Sequence, residues 1–145
     1  MFIDALLLMS SAQALTVTAA STSYIDTLAA GDAYYPGARL IIHCTTTFAG
    51  QGATTLQASL QHDSDPGFGT ATDLITVAAA TEGAAGLTAL SGAAVGYGVL
   101  FDGVLPFGCK RYLRMYYTIA SGPMTAGALT ARIVLNTDRT LDKVI

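Results

Sequence analysis

Charge is scarce in this chain. Ionised residues make up 12% of it and hydrophobic ones 52%, a charged share about half that of an average soluble domain. Such a composition excludes an array of solvated helical faces, and Thr, Ser, Ala and Gly stand in for the missing charge. These small residues suit strands, tight turns and flat contacts, as in a protein that works inside an assembly. Basic residues are the scarcer sign. Seven Lys and Arg face ten Asp and Glu, for a net charge of -3, so no broad attraction for nucleic acid is expected. Long apolar runs are also missing. The stretch Ala5 to Met9 is far shorter than the roughly 20 residues that cross a bilayer, and no membrane partner is expected. The following Ser11-Ala12-Gln13-Ala14 imitates a secretory cleavage site, yet no Lys or Arg precedes the run and Asp4 sits where positive charge belongs. The segment is expected to stay in the mature protein. Cysteine is limited to Cys44 and Cys109, with no CxxC and no His at metal spacing, and two buried thiols are expected rather than a disulfide.

The residues that chemistry needs are equally thin. His43 and His62 are the only histidines, and both fall in expected strands. His62-Asp63-Ser64-Asp65 places hydrolase residue types side by side, but triad members meet through folding rather than adjacency. Asp63 to Gly67 reads as a polar turn closing a strand. It lacks the closing Glu and the ligand spacing of a calcium loop. Gly67-Phe68-Gly69 and Gly96-Tyr97-Gly98 have no third Gly and no following helix, so they read as turns rather than phosphate cradles. The acidic residues are scattered among loops and suggest no acid and base couple. No enzyme activity, metal or cofactor is expected, and a hydrolase built on His62 or His43 is the least favoured reading.

What the chain does have is period-two alternation. In Ala128 to Asn136, Leu129, Ala131, Ile133 and Leu135 share a face. In Arg111 to Ala120, Leu113, Met115, Tyr117 and Ile119 oppose Tyr112, Arg114, Tyr116 and Thr118. Thr54 to His62 sets Leu56, Ala58 and Leu60 against Thr55, Gln57, Ser59 and Gln61, and Leu40 to Phe48 sets Leu40, Ile42, Cys44 and Phe48 against Ile41, His43, Thr45 and Thr47. Weaker strands are expected at Ala14 to Thr18, Tyr24 to Thr27, Leu74 to Ala78 and Val99 to Leu105. Gly31-Asp32, Pro36-Gly37, Ala49 to Gly52, Asp63 to Gly69 and Ser121-Gly122-Pro123 mark turns. The Gly- and Ala-rich passage Ala78 to Gly98 reads as a long loop holding at most one short strand. About eight short strands joined by Gly and Pro turns predict one all-β domain over residues 1–145, an antiparallel jelly-roll sandwich. The pattern leaves its connectivity open.

One charged cluster stands out. Lys110, Arg111 and Arg114 supply three of the seven basic residues within five positions, interleaved with Tyr112, Tyr116 and Tyr117. Arg and Tyr are favoured at protein interfaces, and Tyr112, Arg114 and Tyr116 project from one side of the strand. They form a candidate docking face for an acidic partner. The alternative is that the arginines pair with local carboxylates at a strand end.

Short motifs recur in order along most of the chain: Asp4-Ala5, Ser10-Ser11-Ala12-Gln13-Ala14, Ser21-Thr22, Ile25-Asp26, Arg111-Tyr112-Leu113-Arg114 and Gly122-Pro123-Met124-Thr125-Ala126-Gly127. In these the chain resembles the Bbp16-type capsid cement proteins of tailed phages. Ser11 stands where that pattern has Asp, and Leu28-Ala29-Ala30-Gly31 departs from it. The resemblance implies a jelly-roll subunit that self-associates, as a homodimer ahead of a homotrimer, and binds the outer surface of the virion capsid across joints between major capsid protein subunits. It would act by binding alone. Segments 1–13 and 137–145 are candidate interaction arms. Phe2, Ile3, Leu6 and Leu7 are the N-terminal interface candidates, beside Arg111, Tyr112, Arg114 and Tyr116; packing as ordinary edge strands or tails is the alternative. A carbohydrate-binding jelly roll stacking sugars on Tyr34, Tyr35 or Tyr97 is the competing function, and the absence of Trp argues against it.

Overall fold

The alternation in the last third of the chain translates directly into burial. Strand β9 (Tyr112–Ala120) buries Leu113, Met115 and Tyr117, while Tyr112, Arg114 and Tyr116 lie on its other face. β10 (Ala126–Val134) turns Leu129, Ala131 and Ile133 inward, β4 (Arg39–Ala49) turns Leu40, Ile42, Cys44 and Phe48, and β5 (Thr55–Asp63) turns Leu56, Ala58 and Leu60. Burying each of these larger apolar side chains is worth about 1.5–3 kcal/mol. That term, summed along the strands, drives them to stack face to face.

A computed structural model describes residues 7–28, 37–50, 54–77, 80–81 and 99–135. The remaining strands are β1 (Leu8–Ala14), β2 (Ala19–Ala20), β3 (Ile25–Asp26), β6 (Thr72–Thr76), β7 (Ala80–Thr81) and β8 (Val99–Val104). One sheet has the order β1-β10-β4-β8. The other has the order β2-β9-β5-β6, with β3 also on β9 and β7 also on β5. Every pairing is antiparallel.

Two edges are therefore interrupted strands, β2 with β3 and β6 with β7. Counted as one each, they leave eight positions in which first pairs with last, second with seventh, third with sixth and fourth with fifth. That is a long antiparallel hairpin wrapped into two sheets, the connectivity of a jelly roll. The expected fold class holds, and the wrapping supplies the order that alternation left open. The core lies between the sheets: Leu40, Ile42, Phe48, Leu129 and Ile133 come from one, and Leu56, Leu60, Leu113, Met115 and Tyr117 from the other.

Some expected boundaries are wrong. The strand expected at Ala14 to Thr18 lies earlier, at Leu8–Ala14. Leu15 is buried but Val17 is 60% exposed, so their alternation reflects no buried face. Leu15 instead donates its N–H to Gly127 O at the start of β10, and Thr16 O accepts the Met124 N–H of the β9–β10 connection. The strand expected at Leu74 to Ala78 begins at Thr72 and ends at Thr76. Of the expected loop Ala78 to Gly98, the described part is the two-residue strand β7 on β5; the rest, with Tyr97, lies outside the described residues.

Two backbone devices fix the ends of the long strands. Gly127 has φ +140° with its Cα against the Phe48 ring, so any Cβ there would enter the ring. The β5–β6 turn closes on Asp63, whose carboxylate accepts N–H bonds from Ser64, Asp65 and Thr70 and the Thr70 hydroxyl. Burial opposes ionisation of Asp63, but these donors outweigh it and hold its pKa below the ordinary 3.8. The expected polar turn is thus built around one carboxylate whose oxygens are already engaged.

Candidate functional site

The outer face of the second sheet carries a lateral row of polar groups. Asp73 on β6, Gln61 on β5 and Arg114 on β9 occupy paired register positions. Gln61 Nε2 donates to Asp73 Oδ1 at 3.0 Å, and Arg114 Nε donates to Gln61 Oε1 at 3.0 Å. The guanidinium is stacked as well as bonded: Arg114 Cζ lies 4.5 Å from the Phe68 ring centroid and 5.5 Å from that of Tyr116. Such cation–π contacts contribute about 0.5–1 kcal/mol at exposed sites.

Phe68 reaches this face because the β5–β6 turn folds back over the sheet. It sits at φ +52° with its N–H bonded to Asp65 O, buried but outside the central core. Tyr24, half exposed, meets Phe68 edge-on at 6.0 Å and Tyr112 edge-on at 5.8 Å. The chain between β2 and β3 leaves the sheet long enough to lay Tyr24 on top of it. Two of these rings, Phe68 and Tyr116, thus contact Arg114, and Tyr24 and Tyr112 extend the aromatic row beyond Phe68.

Arg111 and Arg114, read together from the sequence, have different roles. Arg111 forms a bidentate pair with Asp26, with Nε 2.7 Å from Oδ1 and Nη2 2.9 Å from Oδ2. This is the local pairing weighed as the alternative. The Arg111 hydrogen bonds, with the Leu28 N–H behind them, hold the Asp26 pKa below its ordinary value. Arg114 is in neither of the two ion pairs found among the described residues. Lys110 uses its backbone N–H to bond His62 Nδ1 at 3.1 Å. Burial first, then the Lys110 charge, keeps the His62 pKa below 6.5, with Asp63 opposing. His43 lies on the opposite sheet beside Arg132, and burial and that arginine lower its pKa too.

The motif residues near the N-terminus are mostly internal. Ser10 Oγ donates to Gln13 Oε1 at 2.8 Å and shares a 2.7 Å hydrogen bond with the buried Tyr117 hydroxyl. With the Ser10 proton committed to Gln13, Tyr117 is the donor. Gln13 also binds Ala20 O and the Thr22 N–H. Ser21 donates its N–H to Met115 O, and its hydroxyl accepts the Met115 N–H and donates to Ser23 O. Ser23 N–H returns to Met9 O. These groups stitch β1 of one sheet to β9 of the other and close one side of the sandwich.

Of the remaining sequence candidates, Leu7 packs against the chain's own core. Leu8–Ala14, which takes in the second half of the expected arm 1–13 and one residue beyond it, is an edge strand paired with β10. Phe2, Ile3, Leu6, the segment 137–145, Tyr34 and Tyr35 lie outside the described residues. Cys44 and Cys109 are buried and form no disulfide, as expected, and burial raises the Cys44 pKa. Sequence reasoning missed Tyr24, Phe68, Gln61 and Asp73 as members of the arginine site. Gln61 was legible as the outward residue of β5. Phe68 was not, because a ring inside a turn has no periodicity to betray where it lands.

A family model described as Bbp16 matches residues 9–133. No curated protein matches the chain.

Proposed function

The chain belongs to the Bbp16 family, and on that premise we propose that it is a capsid cement protein of a tailed phage. It binds the outer surface of the head, bridges major capsid protein subunits through the Tyr24, Tyr112, Arg114 and Tyr116 face, and acts by binding alone. The observation that carries this reading is the build of that face. A sandwich poor in charge commits an arginine, four rings and a glutamine relay to the outside of a sheet. Arg and aromatic side chains are the groups that dominate protein interfaces.

An expanded head holding pressurised DNA gains strength from clamps that span its joints. Many copies share the load, so each contact needs only modest affinity. Self-association, as a dimer, would let one clamp hold two sites. The test is to add purified protein to mature heads that lack it and to measure occupancy by reconstruction and bursting temperature. Bound density across capsid joints with a raised bursting temperature is the expected result. Heads that burst at the same temperature with and without the protein would rule the proposal out. The mass of the protein in solution checks the dimer.

A further inference from the structure

The guanidinium of Arg114 is oriented before any partner arrives. Its Nε is fixed on Gln61 Oε1, which is fixed in turn through Nε2 on Asp73. Its Cζ lies within cation–π distance of both the Phe68 and Tyr116 rings. Among the described residues its two Nη groups have no hydrogen-bond partner, and Asp73, the nearest carboxylate in the row, is engaged with Gln61 instead. Arg111, at the same end of β9, has its charge matched by Asp26, so Arg114 carries the unmatched charge of this face.

We infer that Arg114 is a receptor for a single carboxylate, presented by an acidic segment of the partner protein and flanked by Tyr24 and Tyr116. This rests on the docking face proposed above and names the group that face takes. A planar guanidinium offers a carboxylate two parallel N–H bonds. With the Nε occupied, the two Nη atoms are the ones left to make them. Because Gln61, Asp73 and the two rings have already ordered the side chain, little rotamer entropy is lost on binding, which is the usual source of gain from preorganisation. A lysine would keep the charge and lose both the paired geometry and the stacking.

The full chain is titrated at low salt with hexaglutamate, and with hexaglutamine as the neutral control, while the Arg114 Nε–H resonance is followed by NMR. A saturable shift with hexaglutamate and none with hexaglutamine is expected. Arg114→Lys weakens binding about tenfold, the loss of one charge-assisted hydrogen bond. Gln61→Leu weakens it several-fold with the guanidinium still present. Both variants are compared at unchanged thermal melting, and Arg39→Lys, on β4 of the other sheet, is the control that leaves affinity unaltered. A shift that is equal for hexaglutamate and hexaglutamine, an Arg114→Lys variant that binds as well as the parent, or a larger response to single-stranded oligonucleotide overturns the inference. The same variants are then tested on heads. If the parent binds heads and Arg114→Lys binds equally well, the carboxylate receptor fails while the cement reading stands. If the parent does not bind heads, the cement reading fails and the peptide titration alone decides the receptor.

Discussion

Along β9 the side chains at 113, 115 and 117 and those at 112, 114 and 116 come from the same nine residues of strand, yet they answer to different demands. The inner set is fully buried and meets residues from both sheets, with the Tyr117 hydroxyl bonded to Ser10. The outer set is only partly covered. Its order comes from lateral stacking and from a relay of hydrogen bonds that ends on the exposed side of Asp73. The inner face is held by displaced water and close packing. The outer face spends polar groups on orientation, which stabilises little on its own and leaves donors pointing at solvent. The comparison teaches that on this strand core packing and the ordering of exposed polar groups are separable by a single step in sequence.

The largest effect expected on the structural side is Gly127→Ala. Its φ of +140° disfavours any side chain, and the new Cβ would displace the buried Phe48 ring, so a loss of about 4 kcal/mol or outright failure to fold is expected. Urea unfolding monitored by circular dichroism measures it. Leu113→Ala on the inner face of β9 should follow, at about 2–5 kcal/mol for a large-to-small change in a packed core. Tyr117→Phe removes one buried hydrogen bond and keeps the ring. It should cost about 1 kcal/mol, seen as a lowered melting temperature. If it cost nothing, the Ser10 contact would be incidental and the inner face would be held by packing alone.

Acid offers a graded test of the same contrast. Asp63 and Asp26 have folded pKa values below the ordinary 3.8. Their contribution is therefore complete above that pH and is lost as pH falls through the lowered folded values. His62 and His43, with pKa values below 6.5 in the fold, act in the same direction at higher pH: stability is complete above 6.5 and declines as pH falls. Urea midpoints recorded from pH 7.5 down to pH 3 should fall in two stages, and Asp63→Asn should flatten the second. The smallest effect on stability is expected for Arg114→Ala, a loss of about 1 kcal/mol or less for an exposed cation–π stack. Binding to heads should nonetheless be abolished, and a melt and a binding assay on one sample would show both. A loss of several kcal/mol would erase the distinction between the two faces.

The long strands were legible in the sequence because period two has only one way to bury alternate apolar residues. β4, β5, β9 and β10 accordingly lie within two residues of where alternation put them. β1 was not legible, because register shifts between Leu8 and Ser10 and between Ser10 and Gln13 break the alternation, and the clean Leu15 and Val17 pair beyond it belongs to a connection. For the site, the sequence put Tyr112, Arg114 and Tyr116 on one face but could not separate Arg111 from Arg114. The partner that neutralises Arg111 is Asp26, brought alongside only when β3 pairs with β9.

By itself, then, the sequence determined that the chain is all-β, which residues of the long strands face inward, and that the basic residues of β9 share a surface with aromatic rings. These depend on spacing along one strand, and spacing is written in the chain. Only the tertiary structure decided the order of the strands, the joining of β1 to β9 through Ser10, Gln13 and Ser21, and the seating of Phe68 under Arg114. Each of these brings together residues far apart in the chain, and their meeting depends on how a long hairpin wraps.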